Sequence, residues 1–210
     1  MKKSHLPVLL WGIVILIAFI FFSYLVRSNL FTNLDFDTTV KLQNKIPLLF
    51  VTPFSFLSLL GSFEVVSVIL LIGWAIMKKM NYIFVLFFFG LIHLIELFGK
   101  AFVSHPGPPH MFIRYDLGFT FPSSYVQPGS SYPSGHLART MFISIIILLL
   151  AHRSKKLSKE NKNVIYLLVL FFDAAMFASR IYLGEHWLSD VIGGVLLGLA
   201  MGIFSVLFLF

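Results

Sequence analysis

Long apolar stretches alternate with short polar ones along this chain, and the apolar stretches are of membrane-crossing length. Pro7 to Val26 is almost uninterruptedly hydrophobic and follows Lys2 and Lys3. About 20 apolar residues form a helix that crosses a bilayer. The stretch is too long for a leader's apolar core and lacks a small-residue cleavage signal, so a retained first span is expected. Arg27 to Lys45 is polar. Ile46 to Met77 is then apolar for 32 residues, more than one span, with a break at Gly61-Ser62. The break predicts an interfacial helix over Pro47–Leu60 and the second span over Phe63–Met77. A third span is predicted from Tyr82 to Val103. The loop Ser104–Tyr132 follows, rich in Pro, Gly, Ser and aromatics. Further spans are predicted over Pro133–His152, Asn163–Tyr182 and Trp187–Phe210, with a charge run at Arg153–Lys162 between the first two. No internal repeat or domain boundary interrupts residues 1–210. The expected fold class is all-α, one domain, an integral membrane bundle of six transmembrane helices.

Composition agrees. Hydrophobic residues make up 58% of the 210, charged residues 12%, and mean hydropathy is +0.91. Soluble domains carry about 25% charged residues, so a soluble globular chain is excluded. The absence of cysteine removes disulfides, thiolate metal sites and a cysteine nucleophile. A net charge of +7 reads here as basic loops against anionic lipid rather than as a nucleic-acid footprint. Nine Lys and Arg fall on one side of the predicted bundle, at Lys2, Lys3, Lys78, Lys79 and in the 153–162 run. Seven fall on the other: Arg27, Lys41, Lys45, Lys100, Arg114, Arg139 and Arg180. The dense 153–162 run decides the orientation. It puts both termini in the cytoplasm and the 104–132 loop outside.

An ionisable side chain in a span is costly and marks function by default. Lys100, His136, Arg139, Arg180, His186 and Asp190 all fall near span ends on the outward side. Antiparallel packing would gather them at one depth. His186 and Asp190 are four residues apart, on one face if helical. Such a carboxylate orients an imidazole for attack. Pro133, Ser134 and Gly135 open a helix whose N-terminus suits an anion. Lys100, Arg139 and Arg180 would add charge-assisted donors to phosphate oxygens. The set reads as an oxyanion site for phosphoryl transfer, with one imidazole as nucleophile and a second as acid. Glu96 shares a helix face with His93 and Lys100 and reads as a partner of Lys100. Asp173 and Arg180 read as a structural pair.

These residues resemble the type 2 phosphatidic acid phosphatase superfamily of integral membrane lipid phosphatases. Its signature has three parts. Pro133-Ser134-Gly135-His136 matches the second in full, and Ser179-Arg180 with His186 and Asp190 matches the third in full. The first is partial: Lys100 and Pro108 are present, but Gly107 stands where the family has Arg. The resemblance implies that His186 attacks phosphorus, Asp190 orients it and His136 protonates the leaving group. It implies that Lys100, Ser134, Gly135 and Arg180 hold the phosphate, with no metal and no cofactor. Arg139, three residues after His136, is expected to replace the missing Arg; His105, His110 and Arg114 are weaker candidates. The implied substrate is a lipid phosphate or pyrophosphate of the undecaprenyl pyrophosphate, phosphatidylglycerol phosphate or phosphatidic acid type, met at the outer face. Outward orientation favours recycling of a cell-wall carrier lipid. Open alternatives are a lipid phosphotransferase, a phosphate-binding protein without turnover, a proton transporter using His93, Glu96 and Asp173, and a metal hydrolase using His105, His110, His186 and Asp190.

Overall fold

The computed structural model describes residues 6–78, 80–119, 121 and 129–209. Lys2, Lys3 and Lys79 of the charge count, part of the 104–132 loop and Phe210 lie outside the described residues. The described chain is helical: α1 (Leu6–Arg27), α2 (Thr32–Lys45), α3 (Val51–Leu59), α4 (Phe63–Met77), α5 (Ile83–Phe102), α6 (Gly135–Arg153), α7 (Lys159–Tyr182) and α8 (Leu188–Leu209). Five helical segments are long and apolar enough to cross a membrane: α1, Met80–Phe102 (which includes α5), α6, α7 and α8. Leu48–Leu59 and α4 make a sixth if taken as one span, bent by 45° at the intervening break. The protein is a multi-pass membrane protein. Large apolar side chains such as Ile17, Phe21, Leu167 and Phe171 stand exposed, as lipid-facing residues do.

α8 lies at the centre, against α6, α1 and α5. Apolar lipid gives little drive for helix association, so close backbone approach must supply it. Small residues permit that approach. A Cβ on Gly194 would sit 2.4 Å from the Ser134 carbonyl oxygen, and one on Gly198 2.3 Å from that of Ala138. Phe19, Phe89, Tyr132, Phe142 and Leu197 fill the main core. This contact fixes the starts of α6 and α8 side by side.

Two segments differ from the sequence expectation. Most of the polar 27–45 stretch is a helix, α2, and its buried side is polar: Asp35, Thr39 and Gln43 point inward. Gln43 Nε2 donates to the carbonyls of Phe112 and Tyr182, at 2.7 and 2.9 Å. Reading the stretch by hydropathy alone missed an inward polar stripe. The charge run also ends earlier than expected, because α7 starts inside it. Ser158 caps α7, accepting the Asn161 amide at 3.2 Å.

Candidate active site

The last turn of α7 leads through residues 183–187 into α8, and this turn carries His186. The helix begins at Leu188, so His186 stands ahead of it rather than on its face. The pair still meets. Asp190 Oδ2 accepts the Trp187 amide at 2.9 Å and lies 3.4 Å from His186 Nδ1. The carboxylate thereby fixes both the turn and the ring. Asp190 is 0% exposed. Its carbonyl accepts the Ser134 amide at 2.9 Å, tying the start of α8 to the start of α6. Trp187 Nε1 donates to the Pro106 carbonyl at 2.8 Å and pins the turn to the 104–132 loop. Burial lowers the pKa of His186, which the Asp190 carboxylate partly offsets. Neutral imidazole is therefore the resting form, and a proton on Nδ1 leaves the lone pair on Nε2.

Ser134 precedes α6 with extended backbone, and its side chain does not cap the helix. Its Oγ is buried without a hydrogen-bond partner. Gly135 is required by crowding, since a Cβ there would fall 2.1 Å from Glu96 Oε1. His136, one residue on, is buried against the Gly61 break. Arg180, Arg139, His186 and Lys100 all lie within electrostatic reach of its ring.

Each cation is held by a named partner. Arg180 is 2% exposed; its guanidinium donates to Ser58 Oγ and pairs with the Glu185 carboxylate, while its Nε has no partner. Arg139 donates through Nη1 to Glu96 Oε2 at 2.7 Å and through Nε to the Gly61 carbonyl at 3.0 Å. Lys100 donates to Glu96 Oε1 at 2.8 Å. The structure thus brings all eight residues singled out from sequence (His186, His136, Asp190, Lys100, Ser134, Gly135, Arg139 and Arg180) to the joined ends of α5, α6, α7 and α8. Gly107, where the family Arg would stand, lies against Ser131 in the loop, a Cβ there being 3.3 Å from that of Ser131.

Ser58, Gly61 and Glu185 were not anticipated. Gly61 had a signal, the break in the apolar run; Ser58 and Glu185 had none. Glu96 pairs with Lys100 as expected. Asp173 does not pair with Arg180 but accepts Ser144 Oγ at 2.7 Å between α6 and α7. Arg114 serves the loop, donating to the Gln43 carbonyl at 3.0 Å and lying 5.2 Å over the Tyr182 ring. Among the described residues, no group of three His, Asp or Glu is disposed to hold a metal ion.

The geometry can be set beside known proteins. A phosphatidylglycerophosphatase B of Bacillus subtilis (strain 168) is 26% identical over 124 residues, 59% of this chain and 56% of that protein. The match thus spans little more than half of that relative's length. The crystal structure of a transmembrane PAP2 type phosphatidylglycerolphosphate phosphatase from Bacillus subtilis superposes with a TM-score of 0.76 at 20% identity. It covers 93% of this chain and 94% of that one. The structure of Aquifex aeolicus LpxE gives a TM-score of 0.63 at 24% identity, over 82% and 94% of the two chains. At these identities the two structures speak for the fold. The family model described as the PAP2 superfamily matches residues 78–210, which is more than half of the sequence and holds every signature residue. On that match the chain belongs to the PAP2 superfamily.

Proposed function

We propose that the protein is a metal-independent lipid phosphatase working through a phosphohistidine. The observation that carries this reading is the buried Asp190–His186 pair, joined by a backbone hydrogen bond to the Ser134–Gly135 start of α6. His186 Nε2 attacks phosphorus, and the bond to the leaving oxygen breaks. His136 gives that oxygen its proton. Water, deprotonated by His136, then attacks the phosphohistidine and releases phosphate. Lys100, Arg139, Arg180, the free Ser134 hydroxyl and the α6 amides stabilise the charge on the phosphoryl oxygens. Arg139 takes the place of the Arg that Gly107 lacks, since its guanidinium is held beside His136 by Glu96 and Gly61.

The protein has six spans, with the bent pair counted as one, both termini cytoplasmic and the site facing outward. The basic 153–162 run, at the end of the bundle opposite the site, supports this orientation. The substrate class is a lipid phosphate or pyrophosphate whose head reaches the site at headgroup depth. The relatives' names put phosphatidylglycerol phosphate first in the panel to be tried.

The test is phosphate release by the detergent-purified chain, with chelator, from a panel of lipid mono- and pyrophosphates, beside His186→Ala. Release that disappears in the variant is the expected result. No release from any lipid by folded protein would overturn hydrolysis, and phosphate transfer to an added lipid acceptor would then identify a transferase.

A further inference from the structure

Behind Asp190, on the side away from His186, lies a second imidazole. His105 in the 104–132 loop is 5% exposed, and its Nε2 is 3.6 Å from Asp190 Oδ1. That oxygen is buried and has no hydrogen-bond partner. Asp35 of α2 approaches the same nitrogen, its Oδ2 also 3.6 Å from Nε2. Ser189 links them. Its amide and hydroxyl donate to Asp35 Oδ1 and Oδ2 at 2.8 and 2.7 Å, and its Oγ is 3.1 Å from His105 Nε2. A hydroxyl proton committed to Asp35 leaves Ser189 Oγ as the acceptor, so the His105 proton sits on Nε2. That N–H lies beside the one carboxylate oxygen of Asp190 that nothing else engages.

We propose that His105, set by Ser189 and Asp35, is a positioning residue for the nucleophile, its Nε2–H holding the Asp190 carboxylate turned toward His186. The proposal rests on the phosphatase reading above and extends the pair to His186–Asp190–His105–Asp35. Buried charge needs compensation. Among the described residues the charged groups within 4 Å of His105 Nε2 are Asp35 from α2 and Asp190 from α8, and its N–H lies between two carboxylates that would otherwise repel. The arrangement also ties α2 and the 104–132 loop to the catalytic turn, a role that neither segment's hydropathy suggests.

The direction of effect follows. Without the His105 N–H, the Asp190 carboxylate pulls harder on the proton of His186. That moves the acidic limb of kcat/KM to higher pH. The experiment measures phosphate release against pH for the wild-type chain, His186→Ala, His105→Ala, His105→Gln and Asp35→Asn, with melting temperature recorded for each. His105→Ala is expected to lower kcat about 10- to 100-fold with KM nearly unchanged, and to raise the acidic limb by about half a pH unit or more. His105→Gln, whose amide N–H can occupy the place of Nε2–H, is expected to recover most of both. A folded His105→Ala with kcat within about twofold of wild type and an unmoved limb overturns the proposal. If His105→Ala does not fold, Asp35→Asn decides: it leaves the His105 N–H to Asp190 alone, so a downward limb shift upholds the proposal and a limb that stays or rises overturns it. Active wild type and dead His186→Ala beside unaffected His105 variants would sink this inference alone. Inactive wild type on every lipid would sink the phosphatase reading and this one with it.

Discussion

Glu96 holds Lys100 and Arg139 at once, one carboxylate oxygen to each, at 2.8 and 2.7 Å. Two cations assigned to the phosphate are thus fixed by one anion, and the carboxylate lies against Gly135 at the start of α6. Removing its charge leaves the buried Arg139 guanidinium uncompensated. Glu96→Gln is expected to cost about 3 kcal/mol of stability and to raise KM several-fold. Thermal melts in detergent and lipid-phosphate kinetics check both.

Arg139 offers a planar fork that a lysine cannot reproduce. A lost charged donor to a transition-state oxygen costs about 3 kcal/mol, roughly 100-fold in kcat. Arg139→Ala and Arg139→Lys are both expected to fall by about that factor. Near-full activity in Arg139→Ala would show that nothing at this position substitutes for the side chain missing at Gly107.

As the proposed nucleophile, His186 must be neutral to attack. Burial lowers its pKa from the ordinary 6.5, so the neutral form persists to pH values below 6.5. The nucleophile's acidic limb in kcat/KM should therefore lie below that value. Asp190→Asn removes the main opposing influence and should push the His186 pKa lower still. It should nevertheless cut kcat by about 10³-fold or more, because the ring loses its tautomer and orientation. Steady-state profiles of both proteins test the two effects separately.

Gly198 and Gly194 set the spacing of α6 and α8. Gly198→Leu would drive a side chain into the Ala138 carbonyl, and Gly194→Ala would put a methyl 2.4 Å from the Ser134 carbonyl oxygen. Overpacking of this kind costs about 1–3 kcal/mol or more. Both changes should lower the melting temperature. Gly194→Ala should also depress kcat, since Ser134 moves off Asp190. A Gly194→Ala protein with normal melting and normal kcat would contradict the packing account.

The long apolar helices and most of the candidate site were legible in the sequence. Apolar runs of span length have few alternatives, and the His186–Asp190 and Pro133–His136 patterns are local enough to read directly. Three things were not legible. Asp35 sits in a polar stretch, where a buried carboxylate looks like any solvated one until Ser189 is placed against it. Ser58 becomes a partner of Arg180 only through tertiary proximity, the two being 122 positions apart, and Glu185, five residues on, meets it only because the turn after α7 folds back. Helical spacing also put His186 on α8, whereas the Asp190 carboxylate draws it into the turn ahead.

The bend between α3 and α4 has a consequence for how the chain can be divided. It presents the Gly61 carbonyl to Arg139 and the Ser58 hydroxyl to Arg180, and both acceptors precede residue 78, where the family match begins. Cut at that boundary, the signature-bearing portion would face lipid with two guanidiniums each short of a partner. Its candidate site is not a portable module. Grafting experiments and split-protein reporters should treat the bend and the motifs as one inheritable unit, joined by hydrogen bonds that no motif spells out.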